Sequence, residues 1–260
     1  MHETPKTWNE FWAEFWRIRH LQTIPGIADW NRKLVDHIIA VLDLKPGSRV
    51  LDLASGSGEH AIELTRRGMK ATGIDIAPVL INHARDTAQR DGLVPEFVVG
   101  DMRSIPHENE FDAVTILSGS FGFFDDDTNI EVLCQIARAL KPGGKVYIQV
   151  PTPSRVESRT RRTWDRVDYG YVLMEETYDP ETRRLGGSFR YITPDGKLIT
   201  FAAEPDGSSA SESMKLYTLA EYKSMFAAAG LEYSAAYGSI NLPVGLYNHD
   251  SLELIAVATK

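Results

Sequence analysis

The apolar positions of this chain follow two different periods. Over residues 1–44 they recur three and four apart: Phe11, Trp12, Phe15, Trp16 and Ile18, then Leu34, Val35, Ile38, Ile39 and Leu42. That spacing lays one apolar stripe along each of two helices. Pro25 and Gly26 divide them, Asn31 is placed to cap the second, and Lys45-Pro46-Gly47 ends it. From residue 49 onward, short β-rich runs alternate with helical stretches. The pattern predicts strands over 49–53, 70–76, 97–100, 111–117 and 145–150, and helices over 59–67, 78–90 and 128–140. Strand and helix in strict alternation, with short apolar strands, mean a parallel sheet covered on both faces.

The rhythm changes after Pro151. Strand-like pieces over 171–178, 187–192 and 198–201 are separated by Asp-Pro, Gly-Gly and Asp-Gly turns, which read as antiparallel hairpins. Residues 207–213 are rich in Ser and Gly and read as a loop. Helical spacing then returns. Thr218-Leu-Ala-Glu221 is a capping box, Leu219, Tyr222, Phe226 and Ala229 form its stripe, and Gly230 stops it. Two strands over 231–239 and 252–259 close the chain. The expected organisation is a helical cap over 1–44, a main α/β domain over 45–150 and 217–260, and an antiparallel β insert over 151–216.

Composition narrows the function classes. The 260 residues carry 28 Lys and Arg against 36 Asp and Glu, a net charge of -8, which disfavours general binding to nucleic acid or an anionic membrane. The single cysteine, Cys134, forms no internal disulfide and excludes a thiolate-only zinc site. The N-terminal stretch has acids where a secretory signal needs positive charge. No apolar run reaches the ~18–20 residues of a membrane helix. The expected placement is cytoplasmic, without membrane contact, as a monomer or homodimer.

The candidate chemistry sits at the strand ends. In Val50-Leu-Asp-Leu-Ala-Ser-Gly-Ser-Gly58 a strand enters a glycine turn and a helix begins. Such a turn lets backbone N–H groups approach a ligand closely. Alone it is ambiguous between a plain β–α turn and a dinucleotide loop, since Gly56-x-Gly58-x-x-Ala61 also meets the loose dinucleotide pattern. Three features decide. Asp52 lies inside the strand, where it would repel a pyrophosphate and suit a cation. Asp75 ends the second strand and can accept from both ribose hydroxyls. Asp101 ends the third and can accept from an adenine amino group, with Met102 or Ile76 against the ring. Ligands bind at this edge of parallel sheets.

The set VLDLASGSG, GIDIA, VVGDMRSIP, FDAVTILSGSFGFF and ALKPGGKVYI, in this order, resembles the class I S-adenosylmethionine-dependent methyltransferases. The resemblance is good over 31–150, holds by pattern over 217–260 and is weak over the insert. It implies an α/β fold with a doubly wound seven-stranded sheet of order 3-2-1-4-5-7-6, last strand antiparallel, helices on both faces and a β-rich insert. It implies S-adenosyl-L-methionine as cofactor and S-adenosyl-L-homocysteine as product. Asp52 and the loop with Ala54, Ser55, Gly56 and Gly58 would face the methionine moiety. Asp75 would bind the ribose, with Ile76 on the adenine. Asp101 and Met102 would hold the adenine, and Leu117 and Ser118 would line the sulfonium side. Trp16, with Trp8 and Trp12, would close over the cofactor, the alternative for each being core packing. Two positions depart from the family pattern. Ser55 stands where Cys or Thr is usual, and Ala77 where a capping Ser or Thr is common, leaving that helix without a side-chain cap.

The methyl acceptor is less legible. The Asp/Asn-Pro-Pro-aromatic motif of DNA amino-group methyltransferases is absent after the fourth strand, where Ser118-Gly-Ser-Phe-Gly-Phe-Phe124 stands instead. That string and the β insert resemble small-molecule methyltransferases, including sugar N,N-dimethyltransferases, in which the insert is a lid. Phe123, Arg161, Arg162 and Tyr169 are the acceptor-side candidates. The arginines, with Arg155, Arg159 and Arg166, either recognise an anionic acceptor or form the solvated face of a helix. His249, then Tyr171 and Glu175, are the candidate general bases. The expected activity is methyl transfer to O or N of a small, polar or anionic molecule. The competing readings are an RNA or protein methyltransferase using the Arg155–Arg166 cluster, and a non-catalytic cofactor-binding module.

Overall fold

The computed structural model describes residues 26–156, 161–167, 170–192, 195–196, 198–202, 213–248 and 250–260. Its elements alternate as the periodicity predicts. Helix α1 (Ile27–Leu42) precedes β1 (Arg49–Leu53), α2 (Glu59–Arg66), β2 (Lys70–Asp75), α3 (Pro78–Arg90), β3 (Glu96–Val99), β4 (Phe111–Ile116), α4 (Asp126–Ala139) and β5 (Leu140–Pro151). A short α5 (Pro153–Val156) leads into β6 (Arg161–Val167), β7 (Gly170–Asp179), β8 (Arg184–Ile192), β9 (Leu198–Ala202) and β10 (Met214–Lys215). Helix α6 (Leu219–Ala228), β11 (Glu232–Tyr237) and β12 (Glu253–Thr259) complete the main layer.

The seven-stranded sheet runs β3-β2-β1-β4-β5-β12-β11. Strands β1 to β5 are mutually parallel, and β12 is antiparallel to both β5 and β11. This is the order 3-2-1-4-5-7-6, with the chain's last strand antiparallel. Alternation along the strands sends side chains into two cores. Leu51, Leu53, Val114, Ile116 and Ile148 pack beneath Val132, Leu133 and Ile136 of α4 and Tyr222 and Phe226 of α6. Val50, Ala71, Ala113, Tyr147 and Val257 pack beneath Leu34, Val35 and Ile38 of α1, Ile62 of α2, and Ile81 and Ala84 of α3. A second sheet, β10-β8-β7-β6 with β9 on β8, is antiparallel throughout.

Several boundaries correct the sequence reading. Asn31 does not cap α1. Gly26 holds the cap position at φ 79°, and Asn31 is buried inside the helix. Glycine reaches that left-handed conformation at no side-chain cost, so the helix begins a turn earlier. Likewise α4 starts at Asp126, because the Asp125 carboxylate accepts from the Thr128 N–H. Lys141-Pro142-Gly143-Gly144 does not precede a strand but sits inside β5. Phe111 pairs with Leu140 and Ala113 with Lys145, so these residues bulge out of the ladder. Among the described residues of the arginine-rich stretch, Pro153–Val156 is helical, whereas Arg161–Val167 is not the solvated face of a helix but a strand paired along its length with β7. Cross-strand partners won over the local helical reading there: Arg162 lies opposite Glu175, and Trp164 opposite Leu173.

Candidate functional site

Register places the C-terminal ends of four strands side by side. Leu53 pairs with Ile74 on one side and Ile116 on the other, and Asp75 pairs with Val99. The loop after β1 is left-handed at Ala54, Gly56 and Gly58, with φ of 55°, 55° and 80°. Gly58 has a second constraint. A Cβ there would stand 2.6 Å from the Phe97 ring and 2.7 Å from Ala84 Cβ, so glycine lets α2 start close against β3 and α3. No side chain caps α2, and its first turn opens at the loop.

Asp75, 8% exposed, ties this loop to the next helix. Its Oδ2 accepts from the Gly56 N–H at 2.8 Å and its Oδ1 from the Ala77 N–H at 2.9 Å. Burial raises its pKa, against the pull of these backbone donors. Each oxygen keeps a lone pair for a further donor. Ala77 indeed gives α3 no side-chain cap; Pro78 opens the helix without needing a donor.

Asp52 is 1% exposed. Thr115 Oγ1 donates to its Oδ1 at 2.8 Å, while Oδ2 has no partner. Burial pushes its pKa up to about 7, opposed by the Thr115 bond. Ser55 is buried with an unpartnered Oγ. Ile76 and Met102 are half-buried at the neighbouring strand ends. Asp101 is already engaged. Arg103 donates to it through its backbone N–H and its guanidinium, and stacks 4.8 Å over Phe124. Burial raises the Asp101 pKa, but the Arg103 bonds outweigh it and hold the carboxyl below its usual range. An adenine amino group would share this carboxylate with Arg103.

After β4, Leu117 is buried and Ser118 is exposed with φ 55°. The Ser118 N–H donates to Gln149 Oε1 at 3.1 Å, and Gln149 Nε2 donates to Glu253 Oε2 at 2.6 Å. The sequence reading did not single out Gln149 or Glu253. The available signal was weak: one amide inside Tyr147-Ile-Gln-Val150, and one acid opening an apolar last strand. The loop over 118–124 is held by the second sheet. The Lys215 N–H donates to the Gly122 carbonyl at 2.8 Å, and Arg184 donates to the carbonyl of half-buried Phe123 at 3.2 Å. Tyr217 and Lys215 both donate to Asp126 at 2.7 Å, fixing the start of α4 to the end of β10 and the residues just after it.

On the second sheet, Tyr171 is 43% exposed, with its ring 6.2 Å from that of Trp164. Glu175 is half-buried and ion-paired with Arg162 at 2.8 Å. Each of these two therefore occupies the other. Arg161 lies opposite Glu176 in the ladder. Trp16, Tyr169 and His249 lie outside the described residues. The structure therefore brings Asp52, the glycine loop, Asp75, Ile76, Asp101, Met102, Leu117 and Ser118 to one edge, and puts Tyr171, Glu175 and Arg162 on the second sheet.

A sheet of this order, with a glycine loop after β1 and an acid ending β2, is the arrangement that the resemblance to S-adenosylmethionine-dependent methyltransferases implies. Residues 50–144 match the family described as a methyltransferase domain. The chain is 35% identical over 130 residues to a demethylmenaquinone methyltransferase of Thermus thermophilus, covering 48% of this chain and 56% of the relative. It is 31% identical over 166 residues to the 27-O-demethylrifamycin SV methyltransferase of Amycolatopsis mediterranei, covering 59% of each. The matches thus span about half the length of these relatives. Among solved structures, an S-adenosylmethionine-dependent methyltransferase of Clostridium acetobutylicum superposes with a TM-score of 0.74 at 14% identity, covering 97% of this chain and 98% of the other. A sugar N-methyltransferase of a Streptoalloteichus species superposes with a TM-score of 0.69 at 20% identity, covering 100% and 97%. At those identities the likeness is one of fold.

Proposed function

We propose that this protein transfers a methyl group from S-adenosylmethionine to an oxygen or nitrogen of a small, polar or anionic acceptor. The observation that carries the cofactor half is the pair of strand-end carboxylates. Asp75 offers a rigid acceptor for ribose hydroxyls, and Asp52 holds a buried oxygen with no partner, which suits a cationic ligand. The orphaned Ser55 hydroxyl and the uncapped start of α2 fit the same ligand. When bound, the cofactor would supply a sulfonium-activated methyl carbon, electrophilic toward an acceptor lone pair.

This chain's own residues bind and orient. Asp75 fixes Gly56 and Ala77, so the loop is formed before any ligand arrives. Gln149 holds Ser118 on the acceptor side and presents Glu253 beside it. In this reading the insert over 151–216 covers the acceptor and excludes water, and the segment over 1–44 caps the cofactor. The bonds from β8 and β10 to the 118–124 loop support a coupled lid and acceptor loop. Small-molecule names among the relatives support the acceptor class.

Labelled S-adenosylmethionine offered with panels of small amines, hydroxy acids and phenols, with RNA and with protein, tests the acceptor. Label entering small molecules, with equal release of S-adenosylhomocysteine, is the expected result. Label entering only RNA or protein would move the acceptor class to the arginine-cluster reading. Cofactor binding without turnover in any panel would favour a non-catalytic module.

A further inference from the structure

Six buried side-chain atoms among the described residues have no hydrogen-bond partner: His37 Nε2, Asp52 Oδ2, Ser55 Oγ, His60 Nε2, His107 Nε2 and Thr163 Oγ1. Three of the six, those of Asp52, Ser55 and His60, belong to one strand–loop–helix unit, residues 52–60. An unmet buried polar atom bears its full desolvation cost, so three within nine residues of chain point to a ligand that completes them. Their chemistry is asymmetric. Asp52 Oδ2 is an acceptor, His60 Nε2 can carry a proton, and the Ser55 hydroxyl can serve either way.

We propose that His60 recognises the carboxylate of the cofactor's amino-acid tail through Nε2–H, while Asp52 Oδ2 takes the tail's ammonium. This inference rests on the cofactor reading above. His60 stands in the first turn of α2, whose N-terminus carries no side-chain cap. Its ring and the first backbone N–H groups of the helix therefore share one end of the element, where an anion is favoured. The Trp30 ring of α1 meets the imidazole at 6.3 Å and 65°, an edge contact that limits its rotation. Burial lowers the His60 pKa, against the pull of Glu59, which keeps the ring neutral with one nitrogen protonated. A zwitterion meets this arrangement end for end: carboxylate to His60, ammonium to Asp52, with Ser55 between them in the chain.

The test compares S-adenosylhomocysteine with 5′-methylthioadenosine, which has the nucleoside and thioether but no amino-acid tail. Titration calorimetry is run on the full chain, wild type and His60→Phe, with a thermal melt of each to confirm folding. His60→Phe keeps a flat ring and removes both nitrogens. The dissociation constant for S-adenosylhomocysteine should rise roughly 10–100-fold, as for a lost charge-assisted bond, and that for 5′-methylthioadenosine should hold within about twofold. His60→Gln, which restores an N–H donor, should recover part of the loss. Equal weakening of both ligands would make His60 a packing residue and overturn the proposal, as would unchanged affinity for both. If neither ligand binds the wild type, the cofactor reading itself fails, an outcome distinct from either.

Discussion

Burial raises the Asp52 carboxyl to about 7, far above the value it has in an unfolded chain. An acid whose pKa is raised by folding gives its full stabilising contribution below the unfolded value near 3.8, and loses it as pH climbs toward 7. In the unliganded protein Asp52 is therefore a liability at neutral and basic pH, which the proposed cationic ligand would offset. Asp52→Asn should raise the thermal midpoint at pH 8, by roughly 2–4 °C for each ~1 kcal/mol relieved, and the gap should close toward pH 4. The same substitution should weaken the cofactor. A gap that does not change with pH would refute the buried-carboxylate account. Asp52 and Asp75 were legible in the sequence because a lone acid in an apolar strand has no packing explanation. Gln149 and Glu253 were not, because their bond joins residues 104 positions apart, and neither residue type is unusual on a strand.

Elements whose signal is local were read well. The capping box at Thr218 and Glu221 is formed, with Glu221 held at about 2 by Arg183 first, and by Thr218. Helix α3 runs over the predicted residues, from Pro78 to the turn at Gly92. Among elements set by cross-strand pairing, the hairpin strands β7, β8 and β9 were legible from their turns, but the arginine-rich strand β6, whose partners lie in β7, was not. The junction of the second sheet with the 118–124 loop is likewise set by pairing between distant residues. Gly122 has φ 101°, and a Cβ there would lie 2.3 Å from the Lys215 carbonyl oxygen. Gly122→Ala should therefore pry β10 from the loop. Hydrogen exchange at the Lys215 and Leu216 amides should quicken roughly tenfold or more, the loss expected for one strained residue and one broken bond, while β1 to β5 stay protected. Unchanged exchange at those two amides would show that the loop and β10 are not clamped together through Gly122.

Across the whole molecule, the order of the main sheet brings three acidic strand ends to one edge, and the second sheet is stitched to the loop beside them. The alternation of strands and helices made the first legible. The second was not legible, since the bonds from Lys215 and Arg184 to the 118–124 loop span some 60 to 90 residues of chain. Among the described residues no helix is long and apolar enough to cross a membrane, and no cluster of metal-ligating side chains occurs. The central claim is that the strand-end edge binds S-adenosylmethionine through Asp75. Titration calorimetry of the wild type and Asp75→Ala with S-adenosylmethionine at pH 8 tests it most directly. The account predicts one site per chain in the wild type, and an affinity at least roughly tenfold weaker in the variant, from the loss of charge-assisted bonds to the ribose and of the anchor on Gly56. No binding by the folded wild type, or equal affinity in the two proteins, would contradict it.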